Sequence, residues 1–121
     1  MLNLLAMSAC YSPAPGAPLG FELPVDLETG ERRPEVWSRW LAFDPVVAAE
    51  SHAEALRSLE LLYLEAGTRD EFHLQFGARQ VVDALRGHGV EVEHQEFDGG
   101  HMGVSYRYDS SLPLITAALS R

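Results

Sequence analysis

Two polar loops in this sequence, each placed directly behind an apolar run, carry residue types suited to moving protons. One is Gly67-Thr68-Arg69-Asp70-Glu71 and the other is Asp98-Gly99-Gly100-His101-Met102-Gly103. Glycines on both sides of His101 let the backbone turn sharply and bring an imidazole out at a sheet edge without steric cost. A carboxylate at a strand-to-helix junction, as Asp70 would be, can accept the Nδ1 proton of a histidine arriving from the next strand. Asp70 also has a purely structural alternative, because a short acidic side chain at such a turn caps orphan amides and favours the helix dipole. His101 has one as well, as a turn histidine without a role. The other histidines, His52, His73, His88 and His94, are neither paired at i, i+4 nor set in a carboxylate frame. No metal site is expected from them, and surface positions are.

The elements that must position these loops follow from hydrophobic pattern. Leu2, Leu4, Leu5 and Met7 lie in a short apolar stretch over residues 1–9 with no helical period, which predicts a buried strand. Residues 11–34 contain Pro13, Pro15, Pro18, Pro24 and Pro34 with Gly16, Gly20 and Gly30, which predicts a long extended loop. Pro34 is placed to open a helix carrying Trp37, Trp40 and Leu41, with Asp44-Pro45 as its stop and a further short helix over 51–57. The run 59–66 closed by Gly67 reads as a central strand. Leu74, Ala78, Val81, Val82 and Leu85 then share one face of a helix over 71–86, ended by Gly87-His88-Gly89. Val90, Val92 and Phe97 mark another strand, and residues 110–119 a closing helix after Asp109. The expectation is a single α/β domain over 1–121, with about three mostly parallel strands and flanking helices. So small a parallel sheet leaves faces and edges uncovered, as part of a larger sheet would.

An acid after one strand and a histidine after the next, in that chain order, is the arrangement of an α/β-hydrolase triad. Residues 63–72, 97–103 and 106–113 together resemble the C-terminal part of the putative-esterase family of α/β-hydrolases, which includes enterochelin-esterase-like and esterase-D-like members. Residues 6–13 resemble the strand and loop that follow that family's nucleophile helix. The resemblance implies a partial α/β-hydrolase fold, with Asp70 as triad acid and His101 as the general base and acid. It implies no cofactor, and a small-molecule ester as substrate. It also places Trp37, Trp40 and Phe43 near a pocket border, where the residue pattern alone reads them as core or loop packing. Tyr106, Arg107 and Tyr108 either line the entrance or anchor the last helix.

The family's Gly-x-Ser-x-Gly nucleophile elbow is missing from this sequence. Ser8 sits between Ala6 and Cys10 in a small-x-Ser-x-small pattern, but an elbow leads straight into a helix, and the prolines at 13 and 15 oppose one. Cys10, the only cysteine, reads as inert core filling and fits a reducing cytoplasm. Two functions are therefore expected of the chain. One is the C-terminal portion of a serine esterase, supplying Asp70 and His101 to a serine from elsewhere. The other is a non-catalytic truncated fragment or interaction module that dimerises through its open sheet. Either would draw a homo-oligomer contact or a partner chain over the exposed strands. Nine basic against eighteen acidic residues, a net charge of −9, argue against nucleic acid and anionic membranes as partners. Residues 1–9 lack a basic flank and are too short to span a bilayer. Glu91, Glu93 and Glu96 read as the solvated side of an edge strand.

Overall fold

A computed structural model describes residues 2–120. Its contacts divide the chain into two compact units, residues 1–48 and 49–121.

The first unit opens with helix α1, Leu2–Tyr11, where a strand was expected. The expectation fails because a short continuous apolar run suits either element, and this one is built of leucine, alanine and methionine, with no β-branched residue to favour a pleat. The chain then runs through turns held by isolated antiparallel bridges, Pro13 with Phe21 and Val25 with Arg32, as the prolines and glycines predict. Buried Ser12 ties the unit together. Its hydroxyl lies 2.7 Å from the Glu22 carbonyl, to which it donates, and accepts from Trp40 Nε1 at 2.9 Å. Helix α2, Pro34–Leu41, starts at its proline and buries Val36 and Trp40, one turn apart. Trp37 and Trp40 stack on each other and Tyr11 packs against Trp40 and Phe43, so these aromatics pack this unit, although Phe43 keeps much of its surface exposed.

Helix α2 ends before Asp44-Pro45 as expected, and Pro45 also opens helix α3, Pro45–Arg57, six residues earlier than the helix expected over 51–57. Asp44 Oδ1 accepts the Val46 amide at 2.8 Å, so the Asp-Pro pair both ends one helix and begins the next.

The second unit is a β-α-β unit flanked by helices. Strand β1, Tyr63–Gly67, leads through a turn to helix α4, Leu74–Gly87, and on to strand β2, Glu93–Phe97. The strands are parallel, with Tyr63 opposite Glu93 and Gly67 opposite Phe97. Among the described residues these two are the whole sheet, one strand fewer than expected, because the third was assigned to what is α1. β1 also begins later than expected, since the ladder starts only where β2 reaches it. Gly89, with φ of 73°, ends α4 in the left-handed conformation that the Gly-His-Gly run predicts.

Side chains alternate across the sheet. Leu62 and Leu64 join Ala49, Ala53, Val82, Leu85, Val90 and Val92 in one core between the sheet, α3 and α4. The other face carries Tyr63, Glu65, Gln95 and Phe97, and meets a 3₁₀ turn over Val104–Arg107 that runs into helix α5, Tyr108–Leu119. Among the described residues no helix is long and apolar enough to cross a membrane.

Candidate active site at the carboxyl edge of the strands

Both polar loops emerge at the same edge of the sheet, because parallel strands deliver the residues that follow them to one side. The loops are sewn together by backbone bonds. Thr68 N–H donates to the Phe97 carbonyl at 2.8 Å, and Arg69 N–H to the Gly99 carbonyl at 2.9 Å. This packing is close enough to need glycine at 67, where an added Cβ would lie 2.3 Å from Gly99 O and 2.7 Å from Gly100 O.

Asp70 occupies the turn between β1 and α4 and is buried, with 5 % of its surface exposed. Oδ1 accepts the Phe72 amide at 2.8 Å, and Oδ2 lies 3.0 Å from His101 Nδ1. Asp70 thus contacts the helix start with one carboxylate oxygen and His101 with the other. Burial works against its charge, but the Phe72 amide, the His101 ring and the Leu74 amide outweigh it and hold the carboxyl below the usual range. Ionised at neutral pH, Asp70 can only accept, so the proton in this contact is on Nδ1. In the neutral ring Nε2 then carries the lone pair, and it has no partner among the described residues. Phe72 presses edge-on against the imidazole with centroids 5.0 Å apart. A carboxylate on Nδ1 with Nε2 left free is the geometry that proton transfer through an imidazole requires.

A cavity of about 200 Å³ opens beside the pair, lined by Gly67, Leu74, Phe97, His101 and Val104 among others. It is smaller than the roughly 300 Å³ and upwards of drug-sized ligand sites. A larger cleft, about 630 Å³, lies at the opposite end of the strands between residues 59–62 and 89–93, and it holds no acid–histidine pair.

Ser8 is no elbow, as the sequence reading held: it is fully buried inside α1, and its hydroxyl donates to the Leu4 carbonyl at 2.7 Å, a helical back-bond. Other residues depart from that reading. Cys10 is exposed and not core filling. His94 is half-buried instead of solvated, with Nε2 lacking a partner. Glu91, Glu93 and Glu96 are exposed as expected, and Glu96 takes two hydrogen bonds from Arg79. Among the described residues no cluster of potential metal ligands occurs.

Two contributors were not singled out from sequence. Glu71 Oε2 accepts the His101 backbone amide at 2.8 Å, and this bond holds its carboxyl below the usual range. Glu65, mid-strand on β1, receives Arg107 Nε at 2.9 Å and the Tyr63 hydroxyl at 2.6 Å, while Arg107 also reaches Gln95 and lies over the Phe97 ring. Arg107 therefore anchors the segment behind His101 onto the sheet. A glutamate in an otherwise apolar strand was the available signal, because a mid-strand charge demands a partner.

No family model, no curated protein and no solved structure matches this chain. The fold is α/β, built on a small two-stranded parallel sheet.

Proposed function

We propose that the chain contributes the acid and the base of a serine-type carboxylic ester hydrolase with an α/β-hydrolase architecture. The observation that carries this reading is the 3.0 Å contact between Asp70 Oδ2 and His101 Nδ1 at the carboxyl edge of two parallel strands. The loop sequences' resemblance to the putative-esterase family supports it. In this mechanism Asp70 fixes the tautomer, and Nε2 takes the proton of a serine hydroxyl as it attacks the ester carbonyl, then returns it to the departing alkoxide. The serine comes from a separate segment or chain, since no elbow motif occurs in the sequence. Hydrolysis of p-nitrophenyl acetate by this chain joined to the segment that carries the serine is the test. Positioned proton transfer contributes roughly 10²-fold or more, so His101→Ala is expected to lower the rate by at least about that factor. An unchanged rate in His101→Ala sinks the reading.

A second reading, a non-catalytic module covered by another polypeptide, is favoured by the apolar rim of the same edge. Phe72, Leu74, Met102, Val104 and Tyr106 are all exposed there. A cluster of exposed apolar side chains around one edge suits a protein contact. It predicts self-association or capture of a partner that Met102→Ser weakens, with no ester turnover. A monomer at every concentration, together with turnover, counts against it.

A further inference from the structure

We infer that Glu71 is a positioning residue for His101, gripping the backbone of the histidine loop so that the ring stays on Asp70. The inference rests on the Asp70–His101 pairing proposed above, yet it needs no ester hydrolysis to be true. Asp70 holds only the imidazole, and the residues before His101, Gly99 and Gly100, have no side chains to anchor the loop. Something must fix the His101 Cα for a ring contact to persist. Arg69 and Asp98, which also bridge the loops, are 70 % and 82 % exposed and make a weak clamp. Glu71 Oε2 instead takes the His101 N–H directly at 2.8 Å.

Gly100 supports the same conclusion independently. Its φ is not in the left-handed range, which Gly20, Gly30, Gly89 and Gly103 occupy, so backbone conformation does not demand glycine there. An added Cβ at 100 would meet Glu71 Oε1 at 2.5 Å and Oε2 at 3.0 Å, so alanine fits there only if the Glu71 carboxylate swings away. The Glu71 carboxylate fills the space a side chain at 100 would take, although the charge of neighbouring Asp70 opposes its own. Adjacent carboxylates thus hold one histidine at two points, Asp70 on the ring and Glu71 on the main chain.

Nitrogen NMR of the full chain near neutral pH, reading the His101 tautomer, and hydrogen exchange of the His101 amide test this. The wild-type ring is expected in the Nδ1–H form with a protected amide. Glu71→Ala is expected to admit the Nε2–H form and to speed amide exchange about tenfold, the order expected for a hydrogen bond to a charged group. Gly100→Ala, which pushes the carboxylate away without removing it, is expected to do the same. The double variant should add nothing further, because both changes break one contact. Glu71→Gln keeps an acceptor oxygen and should stay close to wild type. Glu71 is exposed, so its removal takes no packing from the core. A tautomer and exchange rate unchanged in Glu71→Ala overturn the inference, and a wild-type ring without the Nδ1–H form overturns it together with the pairing. A locked tautomer that depends on Glu71, with no loss of ester turnover in His101→Ala once the serine-bearing segment is supplied, overturns the hydrolase reading and leaves this one standing.

Discussion

Replacing Gly67 by alanine should damage the fold far more than any other single methyl group added to this edge. The new Cβ would sit 2.3 Å from Gly99 O, 2.7 Å from Gly100 O and 2.8 Å from Gly99 C, all backbone atoms with no rotamer to give way. Ordinary contact begins at 3.4 Å, so the loop must retreat by about 1.1 Å, the difference between 3.4 and 2.3. A retreat of that size stretches the 2.9 Å bond from Arg69 N–H to Gly99 O beyond any useful length. Overpacking of this kind costs about 1–3 kcal/mol, and a lost backbone hydrogen bond about 1 kcal/mol more. The expected loss is therefore about 2–4 kcal/mol, or a fall in Tm on the order of 10 °C for a domain of this size. Gly77→Ala is the matched control. It lies inside α4, where a Cβ meets nothing within 4 Å, and there alanine should stabilise by about 0.5–1 kcal/mol. Thermal unfolding followed by circular dichroism compares the two. If Gly67→Ala melts with or above wild type, the strand end and the histidine loop are not in contact, and the geometry assigned to Asp70 and His101 loses its basis.

Other perturbations probe the remaining layers. Leu85→Ala, which empties a buried position between α4 and the sheet, should cost about 2–5 kcal/mol in urea unfolding. Arg107→Ala should lower the urea midpoint clearly more than Arg69→Ala. The first leaves Glu65, Gln95 and Tyr63 without their cation, whereas the second removes only an exposed pair, and equal midpoints would show that the tether is decorative. For pH, the Asp70 carboxyl is held lower in the fold than its ordinary 3.8, so protons bind the unfolded chain preferentially. Its contribution is complete above that value and is lost as pH falls through the lower folded one. Asp70→Asn should therefore flatten the acid limb of the stability curve, and an unaltered limb would remove the charged partnership with His101.

How much was legible in advance varied with how local each determinant is. Helix α4 and its glycine end, the proline start of α2 and the loop over residues 11–34 were readable because apolar spacing, proline and glycine act within a few residues. The first element was misread because Leu2–Met7 suits helix and strand alike, and only packing chooses between them. Strand β1 began late for a related reason: its length is set by where β2 lies beside it, and no residue of 59–62 records that. Asp70 and His101 were recognisable by their places behind strands, thirty-one positions apart in sequence.

What the sequence determined by itself was the inventory: which segments are apolar with which period, which residues can exchange protons, and that no nucleophile elbow is present. What only the tertiary structure decided was who meets whom. Parallel pairing of β1 with β2 brought two distant loops to one edge, put one Asp70 oxygen on the Phe72 amide and the other on His101, and set Glu71 against the backbone amide of His101 thirty residues away. Those contacts are directional and depend on ångström-scale placement, whereas hydrophobic pattern specifies only which face of each element is buried.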